Sequence, residues 1–169
     1  ELSTAFGRQG VQAMLIETVV PRLENVTNEL LGRMTDNQMN VRLETQRERA
    51  SGQGEPRETL EILVDDRGQS RSYEMLSGGE AFRVNLALRI ALSKVLAQRI
   101  GVPLPTLFID EGFGTQDTVG RERILDMINT IGDDFEKVLV ITHFDDLKDG
   151  FTVRINVQKE ESGSTFWID

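Results

Sequence analysis

Two carboxylates stand side by side at Asp110-Glu111, closing the apolar run Thr106-Leu107-Phe108-Ile109. Such a run reads as a buried strand of a parallel sheet, and ligand sites of open α/β sheets lie beyond the carboxyl edge of those strands. Asp110 is placed there to hold Mg²⁺, directly or through water, and Glu111 to polarise an attacking water. Phosphoryl transfer asks acids for these two duties. A strand followed by a solvated acidic turn is the plainer alternative.

Three further groups accompany the acids. Ser77-Gly78-Gly79 precedes an apolar helical stretch. Paired glycines let backbone approach a ligand closely, and a helix start offers free N–H groups and positive dipole to a phosphate. A glycine turn with Ser77 as N-cap explains the same residues. Gly112-Phe113-Gly114-Thr115-Gln116-Asp117 follows the acids and suits an interface that rearranges, or a plain loop whose Asp117 or Thr118 caps a helix. Val138-Leu139-Val140-Ile141-Thr142-His143 puts the single histidine at the end of a second apolar run. If the two strands are neighbours, His143 lies near Glu111, within reach of a γ-phosphate or of the attacking water. Each group has a structural explanation of its own. Those explanations are independent of one another, whereas a nucleoside triphosphate site accounts for all four.

The elements that must position these residues are legible from periodicity. Apolar residues from about Phe6 to Met34 recur at helical spacing, with Pro21 expected to kink or divide the helix. Met39 to Thr45 and Leu60 to Val64 alternate as half-buried strands and should pair antiparallel, across a polar loop that holds Ser51, Gly52, Gly54 and Pro56. The arginines between Arg42 and Arg57 alternate with glutamates and read as a solvated surface loop. Asp65-Asp66-Arg67-Gly68 is a turn signal. A largely buried helix is expected to about Gln98, then a strand to Asp110, a helix from Thr118 to Ile131 and a strand at Val138–Ile141. This is the alternation of a parallel α/β sheet. Phe151 to Val157 and Ser164 to Ile168 read as two strands joined at Gly163.

Composition removes other chemistries. The 169 residues include no cysteine and one histidine, which excludes disulfides, thiolate metal sites and a histidine-rich metal centre. The net charge of −9 argues against strong nucleic-acid binding by this segment alone, so DNA contacts are expected to be local or supplied by a partner. No apolar run is long enough to span a bilayer, and the first residues lack the pattern of a signal peptide. The expectation is a cytoplasmic protein with no membrane association.

The ordered set resembles the C-terminal lobe of an ABC-class ATPase. Leu76-Ser77-Gly78-Gly79-Glu80 is similar to the signature motif, Thr106 to Glu111 to the Walker B strand with its catalytic glutamate, Gly112 to Asp117 to the D-loop region, and His143 to the switch histidine. The likeness covers roughly Tyr73 to His143. Within that class the chain more closely resembles the SbcC-type DNA double-strand-break-repair ATPases, relatives of the SMC proteins, than transporter ATPases. Asp110 to Gly114 departs from the Glu-Pro turn of transporters, and Thr142 to Leu147 followed by a strand pair is similar to the end of an SbcC-type head. Ala5 to Gly10, Ile16-Glu17 and Leu31 to Thr45 are similar to the region where that family's returning coiled coil enters the head.

The resemblance implies an α/β fold: the C-terminal lobe of an ABC-type P-loop NTPase head, a parallel sheet flanked by helices, with peripheral antiparallel strands. Residues 1–35 would form the helix at the base of a coiled coil and 36–169 the lobe itself. The chain has no Gly-x-x-x-x-Gly-Lys-Ser/Thr, so it resembles half a head. ATP and Mg²⁺ would bind mainly on a Walker A-bearing N-terminal lobe of the same protein, with Asp110, Glu111 and His143 completing that site. Ser77, Gly78 and Gly79 would reach the γ-phosphate held by a second head, with Glu80 and Asp117 in the nucleotide-binding set. Arg83 and Arg89, on the helix behind the signature, would relay nucleotide state, or pair with surface acids. Ala81 stands where relatives often carry a basic residue. Implied partners are a second head, DNA and an SbcD-type nuclease docked near the first helix. A RecN-like or SMC-like head without a nuclease, a non-catalytic dimerisation module and a transporter ATPase are the alternatives.

Overall fold

The computed structural model describes residues 11–47, 57–102 and 104–169. Helix α1 (Val11–Thr35) runs unbroken through Pro21, so the expected division does not occur. Proline forfeits one backbone bond and crowds the turn before it, and a 25-residue helix keeps its remaining ladder on both sides. Its last turns bury Leu30, Leu31 and Met34.

Strands β1 (Met39–Arg47) and β2 (Arg57–Asp66) pair antiparallel, with Met39 opposite Asp66 and Arg47 opposite Arg57. The alternation of Met39, Val41 and Leu43 is borne out, since all three are buried. The strand expected from Met39 to Thr45 extends two residues further, to Arg47, and its partner begins at Arg57, so both ends of the arginine-rich stretch expected as a surface loop are paired backbone, while Arg42 is exposed on its strand. The polar segment with Ser51, Gly52, Gly54 and Pro56 lies outside the described residues. Arg67 and Gly68, both at positive φ, make the two-residue turn into β3 (Gln69–Ser72). This sheet is locked to α1 by side chains. Asn28 donates to the Val41 carbonyl (2.9 Å) and accepts from the Val41 N–H (2.6 Å), while the Glu24 carboxylate accepts from the Leu43 N–H (2.8 Å).

Helix α2 (Gly78–Ile100) buries Val84, Leu86, Ala87, Ile90, Ala91 and Val95, but leaves Leu92, Leu96 and Ile100 exposed. It is therefore half-buried rather than largely buried: one face meets the core and the other carries apolar residues with no cover among the described residues. Strands β4 (Leu104–Asp110) and β5 (Phe135–Ile141) are parallel neighbours, linked by helix α3 (Thr118–Ile131). Ile109 and Ile124 are buried in the common core, whereas Phe108 and Ile141 are more than half exposed. A short helix α4 (Asp145–Lys148) leads to the hairpin β6 (Ile155–Glu160) and β7 (Gly163–Ile168), in which Ile155 pairs with Ile168. The first of these strands starts at Ile155, four residues later than Phe151, because Phe151 packs against the core instead. One core joins α1, the β1–β3 sheet, α2, α3 and one face of β4–β5. No helix of the described residues is long and apolar enough to cross a membrane.

Candidate functional site

The register of β4 and β5 places the acids and the histidine together. Asp110 pairs with Ile141, and the Glu111 N–H donates to the Ile141 carbonyl (3.0 Å) just past the strand end. Glu111 sits at φ 50°, in the left-handed region that costs a residue with a Cβ about 1 kcal/mol. Its carboxylate Oε1 lies 3.7 Å from Nδ1 of His143. Both side chains are more than three-fifths exposed, so water reaches them. His143 stacks on Phe144, ring centroids 4.2 Å apart. Glu111 to Thr115 and Thr142 to Phe144 line an open pocket of about 190 Å³.

Gly112 and Phe113 shape the turn after the acids. Gly112 has φ 89°, and a Cβ there would lie 2.6 Å from Cδ2 of Phe82 and closer still to Cε2. Phe82 meets the buried Phe113 ring edge to face at 5.5 Å. The acid-bearing turn is thus seated on α2, the helix that starts at the glycine pair.

At that start, Ser77 caps α2 in a capping box with Glu80. The Ser77 N–H donates to Glu80 Oε2 (2.7 Å), and the Ser77 hydroxyl accepts from the Glu80 N–H (3.4 Å). Glu80 Oε1 accepts from Arg71 (2.9 Å), whose Nη2 also reaches Asp66 (2.8 Å). Burial would raise the Glu80 pKa, but hydrogen bonds from Ser77 and Arg71 and the Arg71 charge outweigh it and hold the group below its ordinary value. The bond to Glu80 raises the Arg71 pKa in turn, against the pull of burial. Gly78 and Gly79 lie against the next loop: a Cβ on Gly79 would fall 2.8 Å from the Thr115 carbonyl oxygen.

Gln116 joins the two motifs. It is 5% exposed; its Nε2 donates to the Gly79 carbonyl (2.9 Å) and to the Thr115 hydroxyl (3.2 Å), while its Oε1 accepts from Arg83 (3.2 Å). Arg83 Nε is buried with no partner, the one such side-chain atom among the described residues. Asp117 caps α3 by accepting from the Gly120 N–H (2.7 Å). Arg121 then ties this loop to the histidine loop: it donates to the Gln116 carbonyl and to Asp146 (both 2.7 Å) and lies 4.7 Å from the Phe144 ring centre.

The structure therefore brings Asp110, Glu111 and His143 to one edge, and sets Ser77, Gly78, Gly79 and Glu80 against the loop that ends at Asp117. Arg83 belongs to that contact. Arg89 lies farther along α2, where its backbone carbonyl accepts from the Ser93 hydroxyl (3.0 Å). Sequence reasoning missed Arg71, Gln116 and Arg121. Gln116 stood in the loop already singled out, and a long polar residue between glycines and a cap is a weak signal; Arg71 and Arg121 gave none, since their partners are distant in sequence. Among the described residues no three acids or histidines cluster as a metal cage. A lone strand-end aspartate nevertheless fits Mg²⁺, which takes one or two carboxylates and fills its shell from water and phosphate oxygens.

This architecture is the C-terminal lobe of an ABC-type ATPase head. The family model "SbcC/RAD50-like, Walker B motif" matches residues 32–130, more than half of the chain, and the chain belongs to that family. It is similar to the SbcC component of the nuclease SbcCD from Staphylococcus saprophyticus, at 38% identity over 109 residues, 63% of this chain and 11% of that protein. The corresponding SbcC component from Clostridium acetobutylicum is 38% identical over 96 residues, 57% of this chain and 8% of that protein. The chain thus spans about a tenth of these relatives. Among solved structures, one from work on ATP-driven dimerization and DNA stimulated activation of SMC ATPases matches with TM-score 0.72 and 21% identity, over 93% of this chain and 88% of that one. The SMC head domain from Thermotoga maritima matches with TM-score 0.62 and 21% identity, over 92% and 50%. At these identities the likeness is one of fold.

Proposed function

We propose that the chain is the C-terminal part of an ATP-hydrolysing SMC/SbcC-type head, whose residues 36–169 form the lobe and whose residues 1–35 lead into a coiled coil. The observation that carries the reading is the Glu111–His143 pair at the shared edge of β4 and β5. In this mechanism Glu111 accepts a proton from the attacking water and His143 orients that water or the γ-phosphate. Asp110 would hold Mg²⁺, directly or through water, and the ion would supply charge neutralisation at the phosphates. A Walker A-bearing N-terminal lobe of the same protein supplies the remaining phosphate contacts. Ser77 would meet the γ-phosphate of a second head through its hydroxyl, and Gly78 and Gly79 through the backbone at the start of α2, with Glu80 holding the Ser77 N–H and so shaping the turn. Two heads related by a twofold axis would each give both surfaces, so ATP binding closes the dimer and hydrolysis opens it. Arg83 relays the state of the signature through Gln116; Arg89 would extend the relay along α2.

The kinship to the SbcC component of SbcCD supports DNA double-strand-break processing with an SbcD-type nuclease, in the cytoplasm and on the nucleoid. A RecN-like or SMC-like head without a nuclease shares the same chemistry, and a non-catalytic dimerisation module is disfavoured by the presence of Ser77, Asp110, Glu111 and His143 together.

The test is ATP hydrolysis by this chain alone and after co-expression with the Walker A-bearing segment of its own gene. Activity should appear only in the pair, and Glu111→Gln should lower it about a hundredfold or more while sparing nucleotide-driven dimerisation. A near-normal rate for Glu111→Gln would remove Glu111 from the catalytic role.

A further inference from the structure

We propose that Arg71 is the positioning residue of the signature turn: by gripping the Glu80 carboxylate it fixes Ser77 and the glycines after it, and fastens them to the sheet that carries α1. The inference rests on the proposed role of Ser77, Gly78 and Gly79 and names a residue outside that set.

The two oxygens of Glu80 divide the work. Oε2 accepts the Ser77 N–H at 2.7 Å, and Oε1 accepts from Arg71 at 2.9 Å. The reciprocal half of the capping box, from the Glu80 N–H to the Ser77 hydroxyl, is long at 3.4 Å, so the carboxylate is the stronger restraint on the turn. A carboxylate bonded only to Ser77 can rotate toward solvent. One anchored by a charge-assisted bond to a strand cannot do so without breaking that bond. Arg71 is itself held: its backbone pairs opposite Val64, and its guanidinium also grips Asp66 at the end of β2 (2.8 Å). The Arg71 and Glu80 side chains are only 27% and 19% exposed.

Behind Arg71 lies a continuous rigid path. β3 pairs with β2, β2 with β1, and β1 is bonded to α1 through Asn28 and Glu24. On its other side the turn is held by Gln116, through the Gly79 carbonyl. The signature turn is therefore suspended between two tethers, one leading to α1 and the other to the loop that follows the acids. Arg71 is the link in the first tether that a single substitution can open without touching the turn.

The experiment uses the head assembled with its Walker A-bearing lobe and carrying Glu111→Gln to hold closed dimers. Dimer formation is titrated with ATP by light scattering, and nucleotide affinity is measured separately on dilute, monomeric heads. Arg71→Met should raise the ATP midpoint for dimerisation about fivefold and leave the affinity of the single head unchanged. Arg71→Lys should recover part of the loss, and Glu80→Gln should add little in the Arg71→Met background, because the two remove the same bond. Arg42→Met, which breaks the exposed pair with Asp65 on the same sheet, should change neither quantity. If Arg71→Met does not fold, Arg71→Lys carries the measurement. An unchanged midpoint, a shift equal to that of Arg42→Met, or additive effects with Glu80→Gln would overturn the inference. Ser77→Arg separates the levels. Should it dimerise at the usual ATP concentration, the signature reading itself fails; should it block dimerisation while the Arg71 variants are silent, only the role of Arg71 falls.

Discussion

Gly112→Ala tests how tightly the acid-bearing turn is built onto α2. Two separate costs arise at this position. The first is conformational: a residue with a Cβ at φ 89° sits outside the region its side chain tolerates, at about 1 kcal/mol or somewhat more. The second is steric, because the new methyl meets Cδ2 of Phe82 at 2.6 Å. The ring cannot simply retreat, since it stands edge to face against Phe113, which is fully buried. Overpacking of this kind costs about 1–3 kcal/mol, so the variant should lose about 2–4 kcal/mol in all. Urea unfolding followed by far-ultraviolet circular dichroism is the assay; the single tryptophan, Trp167, lies on the exposed β6–β7 hairpin and reports poorly on this region. Phe82→Leu in the same chain should return the steric part and leave the conformational part. Gly114→Ala is the internal control, because a Cβ there meets nothing nearer than Cζ of Phe144 at 3.8 Å, and its loss should stay under about 1 kcal/mol. Equal losses at Gly112 and Gly114, or no recovery with Phe82→Leu, would refute the account of the turn.

Two further outcomes follow from the caps. Asp117→Ala removes the side chain that accepts the Gly120 N–H and should destabilise the chain by about 1 kcal/mol in the same urea assay, with Asp117→Asn nearly neutral. Glu80 has a folded pKa below its ordinary value, so its ionised form is favoured by folding. The resulting stability is present above the unfolded pKa and is lost as pH falls through the folded one. Glu80→Gln should therefore cost about 1 kcal/mol at neutral pH, after allowance for solvent screening, and the gap to the parent chain should close in the acid range; a gap independent of pH would contradict the charge-assisted cap.

Strand and helix positions were legible because burial imposes a period. Met39, Val41 and Leu43 alternate into the core, and Thr118 to Ile131 matches α3 to the residue, since Asp117 is a strong cap and the helix stripe of Ile124, Met127, Ile128 and Ile131 is unambiguous. The neighbourhood of Glu111 and His143 was legible for a different reason. Two apolar runs separated by a helix pair in parallel, and parallel register brings their carboxyl ends to one edge. Failures came where composition and context pull apart. Gln46, Arg47 and Arg57 belong by composition to a solvated loop yet lie in a ladder, and α2 looks buried by its apolar content yet shows one face to solvent. Period cannot say which of two apolar helix faces finds cover.

The polar residues that hold the site together belong to a class that sequence does not expose. Gln116, Arg71 and Arg121 bond across separations that carry no periodic signal: Gln116 to Gly79, Arg71 to Glu80, Arg121 to Asp146. Their contacts are nevertheless what converts four motifs into one object. Without Gln116 the glycine pair and the loop beyond the acids share only a steric contact at Thr115; with it, a displacement of either is felt by the other through a bond made away from water, where it is worth more than at the surface. Arg121 extends the same rigidity from the Gln116 carbonyl to the loop after His143 by bonding Asp146 and covering Phe144. On the proposed reading of these motifs, a nucleotide pressing on the histidine loop would act on the turn at Ser77 by way of Arg121 and Gln116, with Arg71 resisting from the side of the sheet.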